Sequence, residues 1–253
     1  MHMWRNNKKK KKILGIITAR GGSKSIPRKN IKSFAGKPLI VWSIETGLKS
    51  GVLDRLIVTT DDKEIADISK AAGAEVPFIR PSELALDGTP TLPVLQHAVD
   101  FLREKEKYEP DYVLLLEPTS PGRQSFHLID AVKLIKETGA DSVIALGEVP
   151  KHFSPHWQFN LSRNNKAQLF NGQTIQNIIE RRQDLPETFF RNGVFYLFKT
   201  SVLFGDEPDH YGDDVRGYIT ETKYSFDIDS KEDWEAAERN FLKLLAEKNR
   251  KQK

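Results

Sequence analysis

The sequence predicts one α/β domain built on a mostly parallel sheet with helices on both faces. Strand-like apolar runs alternate with amphipathic segments of helical length through residues 13–150, which is the order that parallel strands and crossover helices produce. With 253 residues and 38% hydrophobic content, the chain is long enough to bury one substantial core.

The predicted strands are short runs rich in aliphatic and β-branched residues. ILGIIT at 13–18 is continuously apolar, and DYVLLLE at 111–117 is expected to be the most buried strand, because strands covered on both faces lose the usual alternation. We expect further strands at DRLIVTT (54–60), AEVPFI (74–79), DSVIAL (141–146), GVFYLF (193–198) and YSFDIDS (224–230).

Helical spacing of apolar residues predicts the elements between and after these strands. The terminal helix is expected to be capped by Ser230, with acidic residues in its first turn. Glycines should end two of the others. The predicted helices are KPLIVWSIETGLKS (37–50), DKEIADISKAAG (62–73, ended by Gly73), residues 90–106, FHLIDAVKLIKETG (126–139, ended by Gly139) and SKEDWEAAERNFLKLLAEK (230–248).

Residues 150–190, called the arm below, break this alternation. The segment is aromatic and Asn-rich and has no clear period, so we expect a hairpin or arm inserted into the domain. A lone hairpin is marginal in water, and exposed apolar surface usually marks a partner site. We therefore predict a homodimer in which each arm reaches across the other subunit.

Composition limits the classes of protein. Residues 1–12 hold six cations, and without them 33 basic residues face 35 acidic ones, a balance of −2. We expect a disordered leader at 1–12, one domain at 13–247 that includes the arm, and a basic tail at 248–253. No apolar run is long enough for a membrane span, and residues 1–12 lack the apolar region of a secretory signal. The absence of cysteine excludes disulfides and thiolate chemistry and suits the cytoplasm.

The segment ARGGSKSIPRKN, residues 19–30 and called the basic loop below, follows the first strand with four cations and no acid. Ligands of parallel sheets bind beyond the carboxyl ends of the strands. Gly21 and Gly22 let backbone N–H groups approach a ligand, and Arg20 and Lys24 add charged donors. These features suit a triphosphate. The glycine-rich signatures of P-loop NTPases and dinucleotide domains are absent, and a solvated basic turn is the alternative.

Several motifs in order resemble the acylneuraminate cytidylyltransferases, which activate sialic acids and related nonulosonic acids. They are ARGGSKSIPRKN with GKPLIVWSI, TTDDKEIADISKAAGAEV, RPSELALDGT, LLLEPTSPGR, RRQDLP, NGVFYL and FDIDSKEDW, across about residues 13–240. The resemblance implies a Rossmann-like nucleotidyltransferase sheet with a dimerisation arm. It also implies that CTP and a nonulosonic acid react to give a CMP-sugar and pyrophosphate, with magnesium as cofactor.

The resemblance also implies roles for individual residues. Arg20, Lys24 and Asp229 match catalytic positions, and Arg80 matches the residue that faces the base. The expected nucleotide-binding residues are Arg20, Gly21, Gly22, Ser23, Lys24, Asn30, Arg80 and Thr89. The expected sugar-binding residues are Glu117, Ser120, Arg182, Arg191 and Tyr196.

Asp227 and Asp229 form the expected metal pair. In a strand, residues i and i+2 face the same way, so both carboxylates would point to one side. Magnesium takes oxygen ligands, usually one or two carboxylates together with substrate phosphates. The alternative is a charge cluster at the start of the terminal helix, for which Asp229 is better placed than Asp227.

Departures from the family pattern leave the identity of the sugar open. Ser25 stands where the family usually has glycine, Glu117 where sialate-activating members often have glutamine, and Phe190 where arginine is common. Trp157 lies near a place where some members have lysine. The last three lie on the sugar side, so they do not affect the prediction of nucleotidyl transfer.

Other functions have weaker support. His152 and His156 have the spacing of a helical zinc pair, but Pro155 breaks the helix between them. Ser120 lacks the flanking glycines of a nucleophile elbow. Two alternatives remain: a nucleotidyltransferase for another sugar acid or NTP, and a non-catalytic protein that binds nucleic acid through the lysine leader. We expect neither nucleic acid nor a membrane as partner.

Overall fold

A six-stranded mixed sheet forms the centre of the protein in a computed structural model, which describes residues 10–226 and 228–251 without the side chains of Asn249 and Lys251. Two small two-stranded ribbons accompany it. The strands are β1 (Ile13–Thr18), β2 (Ser33–Phe34), β3 (Lys37–Pro38), β4 (Arg55–Thr59), β5 (Tyr112–Leu115), β6 (Ser142–Glu148), β7 (Phe159–Leu161), β8 (Ala167–Leu169), β9 (Phe189–Lys199) and β10 (Val215–Ile219).

The order of strands across the main sheet is β10-β6-β9-β5-β1-β4. Strand β9 pairs antiparallel with both β5 and β6, whereas the β1–β4, β1–β5 and β6–β10 pairs are parallel. The prediction of a mostly parallel sheet is therefore confirmed. The helices are α1 (Leu39–Ser50), α2 (Lys63–Ala71), α3 (Thr91–Glu106), α4 (Ser125–Thr138) and α5 (Lys231–Lys251).

Alternate side chains of β1 pack into two separate hydrophobic cores, one on each face of the sheet. Leu14 and Ile16 pack with α3 on one face of the sheet. Ile13 and Ile17 pack with α1, α2 and α4 on the other face. Because all four side chains are buried, the apolar run in the sequence has no polar face, as expected for a strand between two helical layers.

Helix ends follow the local signals in the sequence. Gly139 adopts a φ of 69° and its N–H donates to Ile135 O, which ends α4 as predicted. At the start of α5, Ser230 Oγ accepts from the Asp233 N–H at 3.1 Å, and the Asp233 carboxylate accepts from the Ser230 N–H at 2.8 Å. This reciprocal capping confirms the predicted role of Ser230.

Two predicted strands are wrong, and strands β2, β3 and β10 were not predicted; β3 occupies Lys37–Pro38, which were predicted to begin a helix. In AEVPFI, only Glu75 bonds to the edge of β4, because Pro77 has no N–H for a longer ladder. In YSFDIDS, Tyr224 ends a single helical turn. Among the described residues that follow, Phe226 is buried in an apolar cluster with Trp234 and Phe241 of α5, called the α5 cluster below, and does not pair in a strand. Strand β10 was missed because it is largely exposed and not apolar.

The arm contains the β7–β8 hairpin and several single helical turns, which agrees with the predicted inserted hairpin. Its most exposed apolar side chains are Phe153, Leu161 and Phe170. At the chain ends, Lys10 pairs with Asp54 and Lys11 with Asp111, and α5 continues past residue 247. No helix in the described ranges is long and apolar enough to cross a membrane.

A buried arginine joins three parts of the fold. The Arg123 side chain is 1% exposed. Its guanidinium donates to Glu117 O at 2.7 Å, to Ser43 Oγ in α1 at 2.9 Å, and to Val194 O in β9. Burial lowers the pKa of Arg123 to about 9, while the nearby Glu117 charge opposes that shift. Arg123 therefore remains charged at neutral pH and fixes the loop after β5.

We predict that Arg123→Lys destabilises the protein by about 2–4 kcal/mol, because an ammonium cannot reach three divergent acceptors and leaves buried groups without partners. Urea unfolding measures this change. Arg103→Lys is the matched control, since Arg103 is a partly exposed α3 residue that pairs with Asp100, and it should change stability by less than about 0.5 kcal/mol. Equal stability of the Arg123→Lys and wild-type proteins would show that the three bonds do not hold this loop.

Candidate functional site

A cavity of about 230 Å³ opens at the carboxyl ends of β1 and β5 and is called the first cavity below. The basic loop contributes to one wall, residues 80–90 form a second wall, and the loop after β5 forms a third. This position agrees with the general location of ligand sites in parallel sheets. Of the predicted site residues, it brings together Arg20, Asn30, Arg80, Thr89 and Glu117.

A second cavity of about 350 Å³ adjoins the first. Thr91, Glu117 and Thr119 line both cavities, so the two are halves of one site that meet beside Glu117. The second cavity lies between the loop after β5 and the first half of β9. It brings together the predicted sugar-side residues Glu117, Ser120, Arg191 and Tyr196.

Backbone contacts fix the basic loop over the first cavity. The Gly21 N–H donates to Asp61 Oδ1 at 3.0 Å, and Asn30 Nδ2 donates to Arg20 O at 3.0 Å. A Cβ on Gly21 would lie 2.8 Å from the Asp62 carboxylate, whereas one on Gly22 would meet nothing within 4 Å. Of these two glycines, Gly21 is therefore the one whose close packing requires the absence of a Cβ.

The four cations of the basic loop have different partners. Arg28 has a left-handed backbone with φ of 57° and pairs with Asp62 and Glu64 at the start of α2, so it anchors the loop. Lys29 donates to Ile228 O at 2.7 Å and lines the first cavity. Arg20 and Lys24 both pair with the Asp87 carboxylate. The sequence analysis singled out Arg20 and Lys24, whereas Arg20 and Lys29 are the two of these four that line the first cavity.

Arg80 is a buried cation in the wall of the first cavity. It is 5% exposed, and its guanidinium donates to Thr59 O at 3.1 Å and Leu84 O at 3.3 Å. Its Nε is buried without a hydrogen-bond partner among the described residues. Burial lowers the pKa of Arg80, against the effect of Asp61. A ligand acceptor in the cavity would repay part of that burial cost.

The second cavity has one charged donor and one neutral imidazole. Arg191 Nη1 donates to Tyr211 Oη at 2.8 Å, and this contact raises the pKa of Arg191. Burial lowers the pKa of His210, whose ring lies edge-on to Tyr196. His210 is therefore neutral at pH 7, so a single guanidinium supplies the positive charge of the described cavity wall.

Ser120 and Gly193 join the loop after β5 to β9 in the second cavity. Ser120 Oγ donates to Gly193 O at 2.9 Å, so this hydroxyl positions a strand as well as lining the cavity. Gly193 has a φ of 68°, and a Cβ there would lie 3.0 Å from Glu117 Oε2. Glycine at 193 thus leaves room for the Glu117 carboxylate where the two cavities meet.

Some predicted site residues lie outside these linings. Gly21, Gly22, Ser23 and Lys24 line neither cavity, although Lys24 reaches the rim through Asp87. Arg182 lies in an exposed turn of the arm, away from both linings. A single copy of the protein therefore gives no support for the predicted contact between Arg182 and the sugar.

The predicted metal pair is only partly described. Asp227 lies outside the described residues. The Asp229 side chain is 75% exposed and accepts from Lys29 at 3.3 Å. Residues 10–226 and 228–251 contain no group of three His, Asp or Glu side chains arranged to hold a metal ion. Asp229 thus offers a solvent-facing carboxylate beside the basic loop, which fits a ligand that shares its metal with phosphates.

Several lining residues were not identified from the sequence. Lys29 is part of the basic loop, so its position after a strand was an available signal. Asp87 and Asn192 lie in the quoted motifs RPSELALDGT and NGVFYL, but His210 lies in none of them, and its neighbours in space are distant in the chain. Arg123 lies in the quoted LLLEPTSPGR motif, but only the structure shows its burial.

Comparisons with known proteins give consistent results. Residues 14–249 match the family model described as Cytidylyltransferase. A pseudaminic acid cytidylyltransferase of Campylobacter jejuni is 32% identical over 238 residues, covering 94% of this chain and 97% of the relative. A CMP-N,N'-diacetyllegionaminic acid synthase of Legionella pneumophila is 32% identical over 231 residues, covering 90% and 95%. N-acylneuraminate cytidylyltransferase A of Danio rerio is 33% identical over 237 residues, covering 94% of this chain but 52% of that protein.

A solved structure shares the fold. A CMP:2-keto-3-deoxy-manno-octonic acid synthetase complexed with CTP superposes with a TM-score of 0.67 at 16% identity, covering 94% of this chain and 99% of that one. At this identity the likeness supports the architecture alone. It confirms the predicted fold class, a mostly parallel sheet with helices on both faces.

Proposed function

This chain belongs to the cytidylyltransferase family, and we propose that it joins a nonulosonic acid to CTP, giving a CMP-sugar and pyrophosphate. In this reaction the anomeric oxygen of the sugar bonds to the α-phosphorus of CTP. The bond from that phosphorus to the β-phosphate oxygen breaks, pyrophosphate leaves with the electron pair, and the hydroxyl proton passes to solvent. The observation that carries the proposal is the pair of adjoining cavities with a shared wall at Thr91, Glu117 and Thr119.

The first cavity suits the nucleotide. Arg80 offers buried N–H groups to the acceptors of a base, and Asn30 and Thr89 offer hydrogen bonds beside it. Arg20 and Lys24 provide the charge for a triphosphate. Because phosphoryl-type transfer depends mainly on positioning and neutralisation of charge, a cation-lined site of this kind is suited to the reaction.

The second cavity suits the sugar acid. A nonulosonic acid carries a carboxylate, and Arg191 is the described cation of that lining, held in place by Tyr211. Ser120 and Tyr196 can form hydrogen bonds with sugar hydroxyls. The shared wall would then place the anomeric carbon next to the α-phosphate, so both substrates would meet at Glu117.

Magnesium is part of the proposal, with Asp229 and Asp227 as its protein ligands. When bound, it would neutralise charge on the triphosphate and polarise the α-phosphate. The exposure of the Asp229 carboxylate beside Lys29 supports this role. Lys29 would keep that carboxylate close to the basic loop, where the phosphates are expected.

A homodimer is also proposed. Phe159 and Leu161 project from β7 on the same side, since they are two residues apart, and are 43% and 68% exposed. Apolar surface of this kind on a protruding hairpin favours burial against a second copy. Such an arrangement would also allow Arg182 of one arm to approach the sugar cavity of the neighbouring subunit.

The proposed reaction predicts pyrophosphate release only when CTP and a suitable sugar acid are both present. Pseudaminic, N,N'-diacetyllegionaminic, N-acetylneuraminic and 2-keto-3-deoxy-manno-octonic acids form the test panel, each with CTP, UTP, GTP and ATP. We expect one nonulosonic acid with CTP to exceed every other pair by at least about tenfold in kcat/KM. A preference for another NTP, or no release with any pair, would refute the proposal.

Lys24→Ala should reduce the kcat/KM of the preferred pair roughly 10²-fold, because it removes a cation that is proposed to contact the phosphates.

The magnesium role predicts that Asp229→Asn raises the magnesium concentration for half-maximal rate, because a neutral amide is a weaker ligand than a carboxylate. We expect an increase of roughly tenfold or more, measured by titrating magnesium into the pyrophosphate-release assay. Glu235→Gln, an exposed acid further along α5, is the control and should leave the titration unchanged. A lower melting temperature for Asp229→Asn at an unchanged magnesium requirement would assign this carboxylate to the helix start.

The dimer predicts that Phe159→Asp with Leu161→Asp produces monomers, because charges would be buried at the interface. Light scattering after size exclusion measures the mass. The KM for the sugar acid should rise more than that for CTP if the arm completes the sugar cavity. Trp157 is left unchanged, since its indole donates to Ile179 O within the arm. Leu242→Asp, an exposed change on α5, is the control. A wild-type protein that is already monomeric would contradict the dimer.

A further inference from the structure

The rim of the first cavity carries an acid aimed at the cations expected to hold phosphate. Residues 81–90, called the rim segment below, follow Arg80 and supply Leu84, Leu86, Asp87 and Thr89 to the cavity lining. One oxygen of the Asp87 carboxylate contacts Arg20, and the other contacts Lys24. A single side chain thus bridges two cations that the proposed function assigns to the triphosphate.

Asp87 is placed as a displaceable partner rather than a buried one. Its side chain is 41% exposed, and the Lys24 side chain is 81% exposed. The two contacts, first Lys24 and then Arg20, lower the pKa of Asp87, so its carboxylate is charged at neutral pH. Exposed ion pairs of this kind contribute little stability, so a ligand with more negative charge can replace the carboxylate.

The rim segment has few ties to the rest of the chain. Its backbone bonds are local, with the Leu84 N–H donating to Pro81 O, the Ala85 N–H to Ser82 O and the Thr89 N–H to Leu86 O. The Thr89 hydroxyl also donates within the segment, to Glu83 O. Apart from the Arg80 Nη1 bond to Leu84 O and the Asp87 ion pairs, the hydrogen bonds described for this segment lie within it, so the segment can shift without breaking the sheet.

We propose that Asp87 is an internal competitor for polyphosphate: it occupies Arg20 and Lys24 in the free enzyme, gives way to CTP, and recaptures both cations as pyrophosphate leaves. This inference rests on the proposed function, because it needs those cations to bind phosphate. The triphosphate and pyrophosphate carry several charges and outcompete one carboxylate when present at sufficient concentration. In their absence the carboxylate has the advantage of being tethered.

A competing role and a positioning role predict opposite signs. If Asp87 oriented Arg20 and Lys24 for the phosphates, removing its charge would leave both side chains free and weaken binding. If Asp87 competes, removing its charge frees the cations and tightens binding. The affinity of the Asp87→Asn protein for pyrophosphate therefore separates the two roles.

The test is isothermal titration of pyrophosphate and of CTP, without magnesium, into the wild-type, Asp87→Asn and Asp87→Glu proteins. We expect Asp87→Asn to bind both ligands roughly fivefold more tightly, the factor set by losing two exposed ion pairs. Pyrophosphate should also become a stronger product inhibitor by a similar factor. Asp87→Glu keeps the charge and should remain near wild type. The charge-matched control is Asp67→Asn, an exposed α2 acid that pairs with Lys63, and it should leave both affinities unchanged.

Each outcome decides the proposal. Equal or weaker pyrophosphate binding by Asp87→Asn would overturn it, and so would equal tightening by Asp67→Asn, which would reflect net charge alone. Failure of the wild-type protein to bind CTP would instead count against the proposed function. The two failures are therefore distinguishable in one set of titrations, and because Asp87 is exposed its substitution should not prevent folding.

Discussion

The three hydrogen bonds of buried Arg123 are the constraint on which the site depends. Burying a guanidinium costs free energy unless its donors are satisfied, and here Glu117 O, Ser43 Oγ and Val194 O satisfy them. These acceptors belong to the loop after β5, to α1 and to β9, and the bonds from Ser43 Oγ to Glu117 O and from Ser120 Oγ to Gly193 O join the same parts. The same loop supplies Glu117 and Thr119 to both cavities. Arg123, which lines neither cavity, thus fixes the position of the wall that the two cavities share.

Above this shared wall, the charged side chains of the site are held by ion pairs rather than by apolar packing. The basic loop is anchored at separate points: Ile26 is buried in the α5 cluster, Arg28 pairs with the start of α2, and the Gly21 N–H bonds to Asp61. Arg20, directly before Gly21, and Lys24, between Gly21 and Ile26, share Asp87 as their partner. A rigid base with exchangeable ion pairs suits a site that must bind a polyanion and release a smaller one.

Local sequence patterns were sufficient to predict β1, the basic loop and the caps at Gly139 and Ser230, because neighbouring residues determine each of them. Features set by long-range contacts could not be predicted in this way. Strand β10 is recognisable only from its pairing with β6, and the contacts of Asp87 with Arg20 and Lys24 only from the folded structure. AEVPFI was wrongly predicted to be a strand, because its apolar composition was given more weight than the missing N–H of Pro77. Arg123 lies in a quoted motif, but its burial could not be predicted, because burial of a charged side chain depends on partners that are remote in sequence.

The two halves of the site draw on different parts of the chain, and this division bears on sugar selection. The first cavity is built almost entirely before residue 120, whereas the second adds β9 and the segment around His210. Of the three sugar-side departures, Glu117 and Phe190 line the second cavity, while Trp157 bonds within the arm. Phe190 gives the second cavity an apolar side chain where the resemblance leads one to expect arginine, so in the proposed reaction a sugar carboxylate would rely on Arg191. Under the proposed assignment, changes in the second cavity would alter the choice of sugar acid while the first cavity, with its own anchors, stays the same.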